Sequence, residues 1–197
     1  MQVYLDDVPL DAAASTLGDA LRVGREQAES RGRIIVDARA DGTPIPDDHL
    51  ASPETATREP YADEIRLFSE APRALVRAAL TDAAQALLEV KTMQSEAAAS
   101  LQQGRTEEAI SELGGALRVW EQVKSAVEQG GMILNEPLDE RPSMAGLIDG
   151  LRDRLVGLQS ALEQRDWAGV SDELAYELGD HADAWRSALL AIAQDLD

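Results

Sequence analysis

The feature that most constrains this chain is a change of hydrophobic period at Ala71. Before it, apolar residues sit in short runs rich in β-branched types; after it, they recur every three or four positions as far as Leu196. A period near 2 reads as half-buried strand and a period near 3.6 as amphipathic helix, so the two parts cannot share one secondary-structure class. The chain therefore reads as two domains, an α+β unit over 1–70 and an all-α unit over 71–197.

Four helices are predicted in the second part, over about 72–103, 106–129, 143–164 and 166–196. The first carries Val76, Leu80, Ala83, Leu87, Val90, Ala98 and Leu101, interrupted by Gln94. Gly104 breaks the pattern and Ile110, Leu113, Leu117, Trp120 and Val127 resume it. Thr106 with Glu107 and Glu108 supplies a cap and first-turn acids that favour a helix N-terminus. GGMILNEPLDERP (130–142) reads as a connecting loop. The third helix has the most regular seam: Met144, Ile148, Leu151, Leu155, Leu158 and Leu162, with steps alternating between four and three. The fourth carries Trp167, Val170, Leu174, Leu178, His181, Trp185, Leu189, Ile192 and Leu196. Four such helices predict an antiparallel four-helix bundle. At 1.5 Å per residue they would be roughly 36–48 Å long and would flank long grooves.

The first part reads as strand, strand, helix, strand, strand. QVYL (2–5) and VPL (8–10) flank Asp6-Asp7, a tight-turn pair. Thr16 caps a helix with Leu17, Ala20, Leu21 and Ala28 on one face, ending near Gly32. RIIVDA (33–38) and EIRLFS (64–69) are the remaining strands, separated by the turn-rich ADGTPIPDDHL.

Composition then excludes several function classes. No cysteine is present, so disulfides, thiol catalysis and thiolate metal sites are ruled out. Aromatic residues make up only 4%, so the core is built from Leu, Ala, Val and Ile. The formal charge is −19, and both parts share it: 7 Arg against 15 Asp/Glu in 1–70, and 11 Lys/Arg against 22 Asp/Glu beyond. Phosphate-backbone binding needs clustered Lys and Arg, so nucleic acid and anionic membrane are not expected partners, whereas basic proteins are. No run reaches about 18 apolar residues and MQVYLDDVPLD lacks a basic region before an apolar one, so neither a span nor a secretory signal is expected and the default location is cytoplasmic.

Between Asp166 and Trp185 lie six carboxylates, a tyrosine, two tryptophans and a histidine, which raises the question of a catalytic site. Asp172, Glu173, Glu177, Asp180 and Asp183 all fall off the apolar row, and Asp166 fits an N-cap. Glu177 and His181, four residues apart, could offer two metal ligands, but two are too few and no Glu-x-x-His repeat recurs on another helix. Asp172 and Asp180 would stand roughly 12 Å apart along the axis, too far for a water-mediated acid–base pair. The reading preferred is a seam histidine held neutral by a hydrogen bond to Gln94 or to a carboxylate at the core edge. No catalytic residue, metal ligand or cofactor is predicted.

Two further features point to contact with a partner. Gly114-Gly115 inside the second helix costs about 1 kcal/mol per glycine, which implies a kink or a close backbone approach, either within the unit or by a partner. Met132, Ile133 and Leu134 place apolar side chains in the loop, where they cap the bundle or form a docking patch. Gly114, Gly115, Met132, Ile133 and Tyr176 are the predicted partner-contact residues.

MQVYL, RIIVDARADGTPIPDDHL and EIRLFS, in that order, resemble the ubiquitin-like β-grasp family over about 70 residues. No Gly-Gly follows EIRLFS, so the resemblance implies a docking surface rather than a conjugated modifier. SLQQGRTEEAISELGGALRVWEQV and ALEQRDWAGVSDELAYELGDHADAWRSAL resemble the flagellin export chaperone family, which implies a helical body that binds an extended, partly helical segment. The expected function is a non-enzymatic adaptor or chaperone-like module that binds a partner helix or extended segment on the bundle. The alternatives are a structural subunit of a homo-oligomer, or a metal-dependent or acid–base enzyme using the Glu177/His181 region.

Overall fold

Alternation along two strands explains how the first unit closes. In the computed structural model, which describes residues 1–11, 14–56 and 60–196, the chain forms two compact units, Met1–Leu75 and Val76–Asp197. In the first, β1 (Gln2–Leu5) and β5 (Glu64–Glu70) run parallel, with Val3 beside Ile65 and Leu5 beside Leu67. Those four side chains point to one face and are buried. The other strands are β2 (Val8–Pro9), β3 (Ile34–Ala40) and β4 (Thr43–Pro44), giving a mixed sheet ordered β2-β1-β5-β3-β4.

Helix α1 (Leu17–Glu29) covers that face with Leu17, Ala20, Leu21 and Ala28. Thr16 caps it through a capping box: its Oγ1 accepts from the Asp19 N–H, while the Asp19 carboxylate accepts from the Thr16 N–H. Gly24 lets α1 sit close to β5, because a Cβ there would stand 2.0 Å from Leu67 Cδ1. Helix α2 (Asp47–Ala51) and a 3₁₀ turn (Pro53–Thr55) follow β4.

Both hairpin turns use left-handed residues. Asp6 and Asp7 have φ of 51° and 62°, and Asp41 and Gly42 have 48° and 83°. Such primed turns match strand twist, and aspartate tolerates the conformation because its carboxylate bonds locally. Asp6 accepts from Ser69 N–H at 2.7 Å and Ser69 Oγ at 2.6 Å. Burial pushes the Asp6 carboxyl up, but the Ser69 bonds, aided by Arg33, outweigh it and hold the group below its usual range.

The second unit is helical. Its first element, α3 (Pro72–Gln102), is followed by α4 (Thr106–Leu134), α5 (Pro142–Gln164), α6 (Trp167–Asp172) and α7 (Leu178–Asp195), with a π turn at Glu173–Glu177 between the last two. α3 and α4 bury Leu80, Leu87, Val90, Ala116, Trp120 and Val123 against Leu174, Leu178, Trp185 and Leu189. Among the described residues, no helix is long and apolar enough to cross a membrane.

One predicted loop is different. Residues 130–134 continue α4, and Asn135 ends it with a left-handed φ of 52°. Gly130 and Gly131 read as breakers, yet they are the contact surface for the returning chain: a Cβ at Gly131 would lie 3.0 Å from Glu136 O and 3.2 Å from Leu138 N. This brings Leu138 into the core, fully buried. Leu138, rather than Met132 or Ile133, seals this end, and those two side chains are 73% and 40% exposed.

Candidate functional site

The even seam of α5 splits into two rows seven residues apart. Met144, Leu151 and Leu158 are buried. Ile148, Leu155 and Leu162 are only partly covered, and Val156 beside them is 60% exposed. α5 thus turns one row into the core and leaves the other at an opening. That opening is an apolar groove of about 350 Å³ between α5 and α4. Ile148, Leu151, Leu155 and Val156 form one wall, Lys124 of α4 the other, and Trp185 of α7 lies at its base. Arg152 and Gln159 stand at its rim.

The groove floor is held by a hydrogen-bonded aromatic cluster. The Leu147 carbonyl of α5 accepts from Trp185 Nε1 at 3.2 Å and lies 2.8 Å from His181 Nε2. The two ring nitrogens are themselves 3.1 Å apart. With the proton on Nε2, the carbonyl accepts from both rings through its two lone pairs, and this tautomer satisfies all three groups. Trp120 of α4 meets Trp185 edge to face, with centroids 5.5 Å apart and planes at 80°. Gly150 makes room for the imidazole, since a Cβ there would be 2.9 Å from His181 Cε1.

His181 is 8% exposed. Burial disfavours its charged form and lowers its pKa; the Leu147 bond opposes this, and the Arg154 charge adds to it. Burial thus favours the neutral histidine, and its hydrogen-bond partner is the Leu147 backbone carbonyl, shared with the Trp185 indole, not Gln94 or a carboxylate. Gln94 is itself buried, and its Oε1 has no hydrogen-bond partner among the described residues.

The acids between Asp166 and Asp183 are engaged apart from the ring cluster. Arg154 of α5 donates to Glu177 at 2.6 Å and lies 3.8 Å from Glu173, tying both ends of the π turn to α5. Burial raises the Glu173 pKa, with Arg154 opposing and Glu177 reinforcing the shift. Asp183 pairs with Lys91, and Asp166 caps α6 by accepting from the Gly169 N–H. Among the described residues, no group of three or more histidine and carboxylate side chains is arranged to hold a metal ion.

The five predicted contact residues do not gather at one place. Gly114 and Gly115 lie mid-way along an uninterrupted α4, and a Cβ at either would meet only Arg118 or Met93 atoms at 3.6–3.8 Å. Among the described residues, no backbone approaches this pair closely. Met132 borders a separate concavity with Gly131, Asn135 and Pro137 at the end of α4. Ile133 is exposed beside it, and Tyr176, 66% exposed, projects from the π turn. None of the five lines the α4–α5 groove. Sequence reading missed the groove because its lining was assigned to the core; Val156, off the regular row, was the available signal.

A family model described as "Domain of unknown function (DUF8042)" matches residues 79–188, which is more than half of the chain and contains the groove-forming parts of α4, α5 and α7. The chain belongs to that family. No curated protein and no solved structure matches it.

Proposed function

We propose that this member of the family is a protein-interaction module, built as a β-grasp-like unit followed by a four-helix bundle, whose α4–α5 groove holds one face of a partner helix. The carrying observation is the split seam of α5. Ile148, Leu155 and Leu162 keep the spacing of a helix-facing row but remain partly open, with Val156 more exposed still. Within the groove, Ile148 and Leu155 at i and i+7 stand roughly 10 Å apart along the axis, a spacing that suits the knobs of a second helix laid alongside. The base is already ordered: Trp185 is fixed by Leu147 and braced by Trp120, so docking needs no rearrangement of its indole.

Helix-in-groove recognition takes its affinity from burying such a stripe. Fluorescence of the three tryptophans, followed while amphipathic helical peptides are added to the full chain, tests the reading. A saturable change that is lost in Val156→Asp supports it. No saturable binding by any amphipathic peptide, whatever its flanking charge, refutes it.

A further inference from the structure

We infer that the occupant of the groove is a separate amphipathic helix whose apolar stripe is flanked by lysine or arginine, an inference that rests on the docking reading above. Two cations line the groove, Lys124 and Arg152, and each already has its own carboxylate: Glu128 lies 2.6 Å from Lys124, and Asp149 pairs with Arg152. Both cations are therefore partly neutralised within their own helices.

Carboxylates remain in excess around them. The Lys124 ammonium is pushed above its usual range by the hydrogen bond and charge of Glu128, against desolvation, and further by Glu121 and Asp139. Glu121 and Glu128, three residues before and four after Lys124 on α4, share its helix face, so two acids flank one cation. An occupant that brings cations to the edges of the stripe would meet Glu128, and Glu121 about two turns before it on α4, while its apolar face covers Ile148, Leu155 and Val156.

The same charges argue against a second copy of the chain. Each copy carries −19, so apposing two of them sets like charge against like charge. Electrostatic complementarity works mainly through selectivity and encounter rate, so the apolar stripe supplies the affinity and the flanks select the partner.

The test uses three synthetic peptides of about 18 residues that share one leucine stripe and carry Lys, Gln or Glu on the flanks. Each is titrated into the full-length chain, with tryptophan fluorescence as readout, at low and at high salt. The expected order is Lys, then Gln, then Glu, with the Lys peptide at least ~10-fold tighter than the Gln peptide at low salt and the gap closing at high salt. Val156→Asp separates docking from non-specific attraction. It adds a negative charge, so a purely electrostatic complex would tighten, whereas binding in the groove is lost. Because Val156 is largely solvent-exposed, this variant is expected to fold.

If the Gln or Glu peptide binds as well as the Lys peptide, the charge inference is overturned while the docking reading stands. If none binds, the docking reading falls and takes the inference with it. If sedimentation shows a dimer of the chain alone that Val156→Asp dissociates, the occupant is a second copy and the inference is wrong.

Discussion

Helices α5 and α7 carry nearly the same sequence signal and end in different surroundings. Past the partly buried Trp167 at its start, the row through α6, the π turn and α7 (Val170, Leu174, Leu178, His181, Trp185, Leu189, Ile192 and Leu196) is buried at every position. The row along α5 is as regular, yet every second member is only partly covered. Period identifies residues that share a stripe; it does not say how wide the cover over that stripe is. A fully enclosed stripe is core, and a half-enclosed one on an ordered helix is a surface with a capacity to bind.

The sharpest test of this contrast is a pair of truncations. Trp185→Ala should cost on the order of 3–5 kcal/mol, because it removes a buried indole and leaves the Leu147 carbonyl with one donor fewer. Leu155→Ala, in the half-open row, should cost less than about 2 kcal/mol, since water fills the space. Urea unfolding measures both, and equal losses would break the distinction between closed and open rows.

Two glycines on α5 sharpen it further. Gly150→Ala forces a methyl to 2.9 Å from an imidazole that is pinned by hydrogen bonding, and should destabilise by about 1–3 kcal/mol. Gly157→Ala, where a Cβ meets nothing within 4 Å, should stabilise the helix by up to about 1 kcal/mol. Opposite signs on one helix are the outcome to look for in thermal melts.

The buried end of α7 also carries a pH signature. His181 has a folded-state pKa below its unfolded value near 6.5, so the unfolded chain binds the proton first as pH falls. Its contribution to stability is present in full above about pH 6.5 and is lost as pH drops from there toward the folded-state pKa. Comparing urea midpoints on either side of pH 6.5 for the wild type and His181→Gln isolates this part, which the variant should lack. A wild type and variant with identical pH dependence would place His181 in water. Smallest of all, Val156→Asp should change stability by less than about 0.5 kcal/mol while abolishing peptide binding.

Much of the local structure was legible in the residues. Thr16 announced the start of α1, Asp6-Asp7 the first hairpin, and the 3–4 spacing the long helices. β4 was not, because two residues paired at Arg39 and Ala40 leave no period to detect. Glycine misled twice, in opposite directions. Gly130-Gly131 looked like a break and instead lies inside α4, where the absent side chains admit residues 136–138. Gly114-Gly115 looked like a close approach, yet a Cβ at either would make only ordinary contact with the side chains of Arg118 or Met93. A glycine in sequence shows that something is missing at Cβ, and only the tertiary structure shows whether anything uses the gap. The histidine's partners were hidden for a related reason: a backbone carbonyl such as Leu147 has no letter of its own.

The central claim is that the row on α5 beside Val156 is open in solution. The absence of native cysteine makes a direct measurement available, since any introduced thiol is the only one in the chain. Thiol labelling of Val156→Cys and Leu189→Cys should give rapid modification at 156 under native conditions and modification at 189 only through unfolding, with the Lys-flanked peptide slowing the first and not the second. If 156 is as protected as 189 in the unbound chain, the groove is closed and the account is contradicted.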